Sequence, residues 1–179
     1  MAMGRIKRSS ADQHLSNCVR MASTINGELR PWHCQLCETD YSDRNRQGIQ
    51  CSHFIGRGIT MHGTYGWATR FDPLNCLSLC SACHGYVEAH PVAHINLWRE
   101  VYGSIYGADK SDSALNSLLQ RSACRSRAQY AKNNRLAISA HYLEESRRLQ
   151  GEIELYERGK ESDYEIRSYV AKREPIVIK

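Results

Sequence analysis

Four cysteines in two CxxC pairs, Cys34 with Cys37 and Cys80 with Cys83, bracket a histidine, His53. Thiolates at this spacing on two separate turns make a tetrahedral zinc site. A closed four-sulfur site performs no chemistry of its own, but it locks a loop-rich segment that has little core. The polar groups pinned beside it are therefore the ones with chemical potential, and in order they are His53, Asn75 and His84. Histidine titrates near neutral pH and is the usual group for taking a proton from water. Hydrolysis of a phosphodiester needs such a base, together with a divalent cation that neutralises the phosphate oxygens and the leaving alkoxide. Neutral imidazoles can supply part of that cation's shell. Cys18, Cys51, Cys76 and Cys124 belong to no CxxC pair and read as small buried hydrophobes.

The elements that must position these groups follow from pattern. Residues 48–55 alternate, with Ile49, Cys51, His53 and Ile55 on one face, which predicts a strand. A stretch containing Gly56, Gly58, Gly63 and Gly66 interrupts regular structure, and Arg70 to Pro73 reads as a second short strand ahead of Asn75. Ser81 suits the N-cap of a short helix. Pro91 suits the first turn of another, with Ile95, Trp98 and Val101 on one face and a stop at Gly103. Trp98 reads as core, whereas Tyr65 and Trp67 in the glycine-rich loop read as base-stacking candidates. Residues 11–25 suit a short helix, and the pattern from Ser113 to about Val170 is helical. The chain thus reads as α+β in three segments: a basic, partly helical N-terminal arm (1–30), a cysteine-rich core (31–107) and a helical, partly basic C-terminal extension (108–179).

Charge follows the same division. The formal net charge of +5 is made of +3 in residues 1–30, −1 in 31–107 and +3 in 108–179. A basic excess in the flanks suits a polyanionic partner gripped from both sides. Between Arg121 and Arg135 five basic residues, Arg121, Arg125, Arg127, Lys132 and Arg135, occur without an acid. The run is either a phosphate-contacting face or a solvated helix face. The N-terminus lacks the apolar run of a signal peptide, and no stretch is long enough to cross a membrane. Those features predict a cytoplasmic protein without a membrane partner, in which CxxC pairs bind metal and do not form disulfides.

The order CxxC, then Ser52-His53-Phe54-Ile55 with Arg57, then Arg70-Phe71-Asp72 with Asn75 and a second CxxC followed by His84, resembles the HNH nucleases of the ββα-metal (His-Me finger) class. More narrowly it resembles the phage NinG/Rap recombination endonucleases, over roughly residues 32–103. The resemblance implies a small zinc-stabilised ββα-metal core with helical extensions. It also implies a metal-dependent endonuclease that hydrolyses phosphodiester bonds in branched or junction DNA of recombination intermediates. His53 matches the general base, Asn75 the residue that braces the base's loop, and His84 a ligand of a catalytic Mg²⁺ or other divalent ion. His90 stands where a further ligand falls, and Glu88 competes with it because His84 and Glu88 are four apart on one helical face. Ser52 occupies the position where many HNH enzymes carry an acidic ligand.

Arg57 and Arg70 flank the proposed base and are phosphate-clamp candidates, or else pair with Asp72 or Glu88. Asn75 as a turn cap, His84 as a zinc-adjacent residue and His90 as a helix cap are the plainer alternatives. The resemblance further implies a bacterial host cytoplasm, phage or host recombination proteins as partners, and a homodimer through the C-terminal helices. Two rival functions keep the zinc and drop the catalysis: a zinc-stabilised DNA-binding module, and an adaptor within a phage complex.

Overall fold

A computed structural model describes residues 9–42, 45–56, 66–123 and 132–157 of the chain. Arg57, Tyr65, Arg125 and Arg127 lie outside the described residues, as do the side chains of Trp67 and Lys132. Among the described residues, five α-helices and two small antiparallel sheets make an α+β fold.

Helix α1 (Ser10–Met21) begins at a capping box. The Ser9 hydroxyl accepts from the Asp12 amide, and the Asp12 carboxylate accepts from the Ser9 amide at 2.7 Å. These bonds satisfy backbone donors that the first helical turn leaves open. The helix is followed by a hairpin of β1 (Thr24–Ile25) and β2 (Glu28–Leu29). Its turn, Asn26-Gly27, has both φ angles positive, at 52° and 79°. The Asn-Gly pair between short strands is the local signal for this turn.

The central sheet pairs β3 (Ile49–His53) with β4 (Cys76–Cys80). Ile49 lies opposite Cys80, Cys51 opposite Ser78 and His53 opposite Cys76, while Gln50 faces Leu79 and Ser52 faces Leu77. Alternation therefore puts Cys51, His53, Cys76 and Ser78 on one face and Gln50, Ser52, Leu77 and Leu79 on the other. Every residue of β4 is buried because helices cover both faces. The return strand begins at Cys76, so Arg70–Pro73 is not a strand. Pro73 has no amide to donate, and Asp72 caps a short turn over Pro73–Asn75.

Helix α2 (Ser81–Ala89) continues directly from β4 with Cys80, and not Ser81, at its N-cap. Helix α3 (Pro91–Tyr106) starts at the expected proline but runs through Gly103 and ends at Gly107, whose φ of 83° L side chains rarely adopt. Tyr102 and Tyr106, on either side of Gly103, stack at 6.1 Å between ring centres, an aromatic contact that spans the glycine. Two further helices, α4 (Ala108–Ser122) and α5 (Lys132–Glu157), follow.

Two apolar clusters flank the sheet. Leu15, Cys18 and Val19 of α1 meet Ile138, Tyr142, Leu149 and Ile153 of α5 over the face that carries Cys51 and Cys76. Leu77 and Leu79 pack on the other side with Val87 of α2, Trp98 and Tyr102 of α3, and Leu115 and Leu118 of α4. Trp98 is fully buried, as its position on the apolar face of α3 predicts. Helices assigned by sequence to the flanks thus form half of the core.

Candidate functional site

The two CxxC turns meet across the start of α2. The sulfurs of Cys34, Cys37, Cys80 and Cys83 all lie within 4.8 Å of one another, a group that could hold a metal ion such as zinc. Cys37 Sγ and Cys80 Sγ are 4.0 Å apart. Zinc–sulfur bonds of about 2.3 Å in a tetrahedron place sulfurs ~3.8 Å apart, so little movement is needed. The first turn is shaped by Glu38, whose positive φ of 58° lets its amide reach the Cys34 carbonyl at 2.8 Å. Backbone amides also point at sulfur: Cys80 N–H donates to Cys34 Sγ at 3.3 Å and Cys83 N–H to Cys80 Sγ at 3.5 Å. Burial pushes the Cys34 thiol up, and burial with hydrogen bonding to Cys80 pushes Cys83 up. Burial also opposes ionisation of Cys37, but hydrogen bonds involving Thr39, Cys34 and Cys83 outweigh it and bring this thiol down to about 7. Ionising all four together calls for a cation.

His53 ends β3, half-exposed, with Nε2 3.1 Å from the Arg70 carbonyl oxygen. A carbonyl only accepts, which assigns the ring proton to Nε2 and the lone pair of the neutral ring to Nδ1. The segment beyond it is held by Asn75, which is completely buried. Its Oδ1 accepts from the Ile55 amide at 2.7 Å, and its Nδ2 donates to the carbonyls of Ile55 at 2.9 Å and Thr69 at 3.1 Å. The Asn75 carbonyl accepts from Phe54 N–H at 2.8 Å. One side chain thus joins the exit of β3 to the segment that presents the Arg70 carbonyl to His53.

That segment is irregular, so its buried carbonyls take partners from the helices. Tyr142 on α5 donates to the Phe71 carbonyl at 2.6 Å, and Trp98 on α3 to that of Leu74 at 2.8 Å. Tyr102 donates to the carbonyls of Pro73 at 2.9 Å and Cys76 at 2.7 Å. The Asp72 carboxylate accepts from Leu74 N–H at 2.9 Å and meets Arg121 Nη2 at 2.5 Å. Burial pushes Asp72 up despite the Arg121 charge. Asp72 is therefore a turn cap, held in place by Arg121.

His84 sits on α2 against the opposite face of the sheet from His53. Its Nδ1 is 2.8 Å from Gln50 Oε1 and its Nε2 is 3.1 Å from Glu88 Oε1. His90 is not joined to this pair. Its Nδ1 donates to the Tyr86 carbonyl at 2.8 Å, and its ring stacks on Tyr86 at 4.4 Å. Among the described residues no third thiol, imidazole or carboxylate completes a metal-holding group with His84 and Glu88.

Two buried polar atoms near this face have no hydrogen-bond partner among the described residues: Ser52 Oγ and His94 Nε2. His94 is 5 % exposed, edge-on to Phe54 at 5.3 Å, and burial followed by the charge of His84 lowers its pKa to about 4. A neutral imidazole with an open nitrogen beside His84 is a ligand or hydrogen-bond candidate absent from the sequence reading. One signal for it existed, since His94 falls one turn before Trp98 on the buried face of α3.

The proposed DNA contacts divide. Arg70 is 3 % exposed and grips Asp12, with Nε to Oδ1 at 2.8 Å and Nη2 to Oδ2 at 2.6 Å. It is not presented as a phosphate clamp, because α1 covers it and supplies its counterion. Arg121 is held by Asp72, whereas Arg135 on α5 is exposed. No helix among the described residues is long and apolar enough to cross a membrane. No protein-family model, curated protein or solved structure matches the chain.

Proposed function

We propose that the chain is a metal-dependent DNA endonuclease of the HNH type, acting on branched recombination intermediates. The observation that carries the proposal is the Asn75 brace. A fully buried amide ties the exit of the His53 strand to the segment whose carbonyl orients the His53 ring. Support also comes from the order of elements, two antiparallel strands running directly into a helix that carries His84.

In this mechanism Cys34, Cys37, Cys80 and Cys83 hold a structural zinc that joins the first turn to the strand–helix junction. His53 Nδ1 takes the proton of the attacking water while Nε2–H stays anchored on the Arg70 carbonyl. His84 and Glu88 would hold a catalytic Mg²⁺ or similar ion, on the face of the sheet opposite the His53 side chain. Such an ion supplies charge neutralisation at the phosphate and at the departing 3′ oxygen. His94 keeps a second neutral imidazole behind His84.

The test is a cleavage assay on duplex, single-stranded, flap and four-way substrates with Mg²⁺ or Mn²⁺. His53→Ala is expected to abolish cutting while leaving the zinc of the four-cysteine site and DNA affinity near wild type. Cutting by that variant at a comparable rate overturns the base assignment. The rival, a zinc-stabilised DNA-binding module, is favoured by the lack of a third ligand beside His84 and Glu88 among the described residues. It predicts DNA binding indifferent to Mg²⁺ and no nicking by the wild type. An adaptor without DNA affinity predicts no steep fall of binding with salt.

A further inference from the structure

A second group of ligand atoms lies outside the four-cysteine cluster. The sulfurs of Cys51 and Cys76 and a ring nitrogen of His53 are all within 4.8 Å of one another. Strand register produces this meeting. Cys51 and His53 are two apart on one face of β3, and Cys76 lies directly opposite His53 on β4. Both cysteines are buried, at 7 % and 0 % exposure, and His53 reaches the surface. Base catalysis by His53 has no use for two thiols at its side.

The geometry points to a second metal site, in which Cys51, Cys76 and His53 bind Zn²⁺ and occupancy withdraws His53 from base catalysis. Two thiolates balance the charge of the ion, so a neutral complex sits in an otherwise apolar setting. Sulfur and imidazole select zinc over Mg²⁺, which keeps to oxygen. The contact of His53 Nε2 with the Arg70 carbonyl is the kind of outer bond that orients metal-bound histidines, and with Nε2 donating there Nδ1 is the nitrogen that would bind the ion. That nitrogen also takes the water's proton, so zinc and water compete for one lone pair. Three protein ligands leave a fourth position open at the exposed side of His53. Each thiol gives up its proton on binding, so two protons leave per ion and affinity rises with pH. The Cys34/Cys37/Cys80/Cys83 group lies at the other end of β4, about 13 Å along the strand, and is a separate site.

The existence of the site is independent of nuclease activity, whereas its inhibitory effect rests on the function proposed above. The full chain is titrated with Zn²⁺ against a chromogenic chelator, and with Co²⁺ followed by thiolate-to-cobalt absorption. Wild type is expected to take two equivalents. Cys51→Ala, Cys76→Ala and His53→Ala are each expected to take one, with an unchanged far-ultraviolet dichroism spectrum reporting an intact fold. Saturation of wild type at one equivalent, or a second equivalent retained by all three variants, overturns the site. In Mg²⁺-supported cleavage the second zinc equivalent is expected to slow wild type about a hundredfold, the scale of a lost general base. Cleavage by Cys51→Ala is expected to ignore it. Undiminished cutting by wild type with two zinc ions bound overturns the inhibition alone. Absence of cutting under all conditions sinks the nuclease proposal and leaves the metal count to stand by itself.

Discussion

Single residues carry unequal shares of this fold, and buried polar ones carry the most. Removing the Asn75 side chain leaves three buried backbone groups without partners, at ~1 kcal/mol or more each. Asn75→Ala is therefore expected to lose about 3 kcal/mol in urea denaturation and to lose cleavage with it. Asp12 and Arg70 form a buried pair with side chains 2 % and 4 % exposed. Burial acts to raise Asp12, but the bonds from Arg70 and Ser9 and the Arg70 charge prevail and hold its carboxyl below the usual value. A lowered folded value means that the native state binds the proton more weakly than the unfolded chain. This stability is full above the ordinary carboxylate range and is lost as pH falls through the lower, folded value. Asp12→Asn is expected to cost about 3–5 kcal/mol at neutral pH, because it removes the buried carboxylate charge that faces the Arg70 guanidinium, and to flatten the acid limb of a stability-versus-pH curve.

At the scale of elements, the irregular segment between β3 and β4 is shaped by helices distant in the chain. The cap at Asp72 depends on Arg121 from α4, and neighbouring carbonyls depend on Tyr102 and Tyr142 from α3 and α5. An arginine that looks like a DNA contact in a one-signed run is, in place, part of this scaffold. Arg121→Ala is expected to lower the unfolding midpoint while leaving the salt dependence of DNA binding unchanged. The exposed Arg135 is expected to behave the other way, with Arg135→Ala reducing the slope of log affinity against log salt by about 1 and leaving stability near wild type. Equal salt slopes for wild type and Arg135→Ala would remove α5 from the DNA interface. The short Asn26-Gly27 hairpin and the passage of α3 through Gly103 belong to this scale too. Asn-Gly was a readable turn signal. Gly103 was not a readable interior position, since a glycine alone cannot report the aromatic packing on either side of it.

Across the whole molecule, the sheet is sandwiched between two layers of helices, and the layer on the Cys51/Cys76 face is made from both ends of the described chain. His14 Nδ1 bonds the Ser139 carbonyl at 2.9 Å, and Cys18 Sγ donates to the Tyr142 carbonyl at 3.3 Å. A chain truncated after Ser122 exposes Leu15, Val19, Phe71 and Trp32 at once. Such a truncation is expected to abolish the cooperative thermal transition by circular dichroism, even with zinc present. A cooperative melt near that of the full chain would show that the chain up to Ser122 is self-sufficient.

The cysteine pairs, the strand that carries His53, the proline that opens α3 and the place of Trp98 in the core were legible in the sequence. Spacing and alternation are local properties, and the covalent chain carries them unaided. Only tertiary structure decided which charges are available and which are buried, because Asp12 with Arg70 and Asp72 with Arg121 are joined across 58 and 49 positions. It also decided that His94 holds an open nitrogen inside the fold, and that two cysteines read as small hydrophobes converge on His53. Register across a sheet and packing between distant helices create those contacts, and neither leaves a mark in the spacing of residues along one strand.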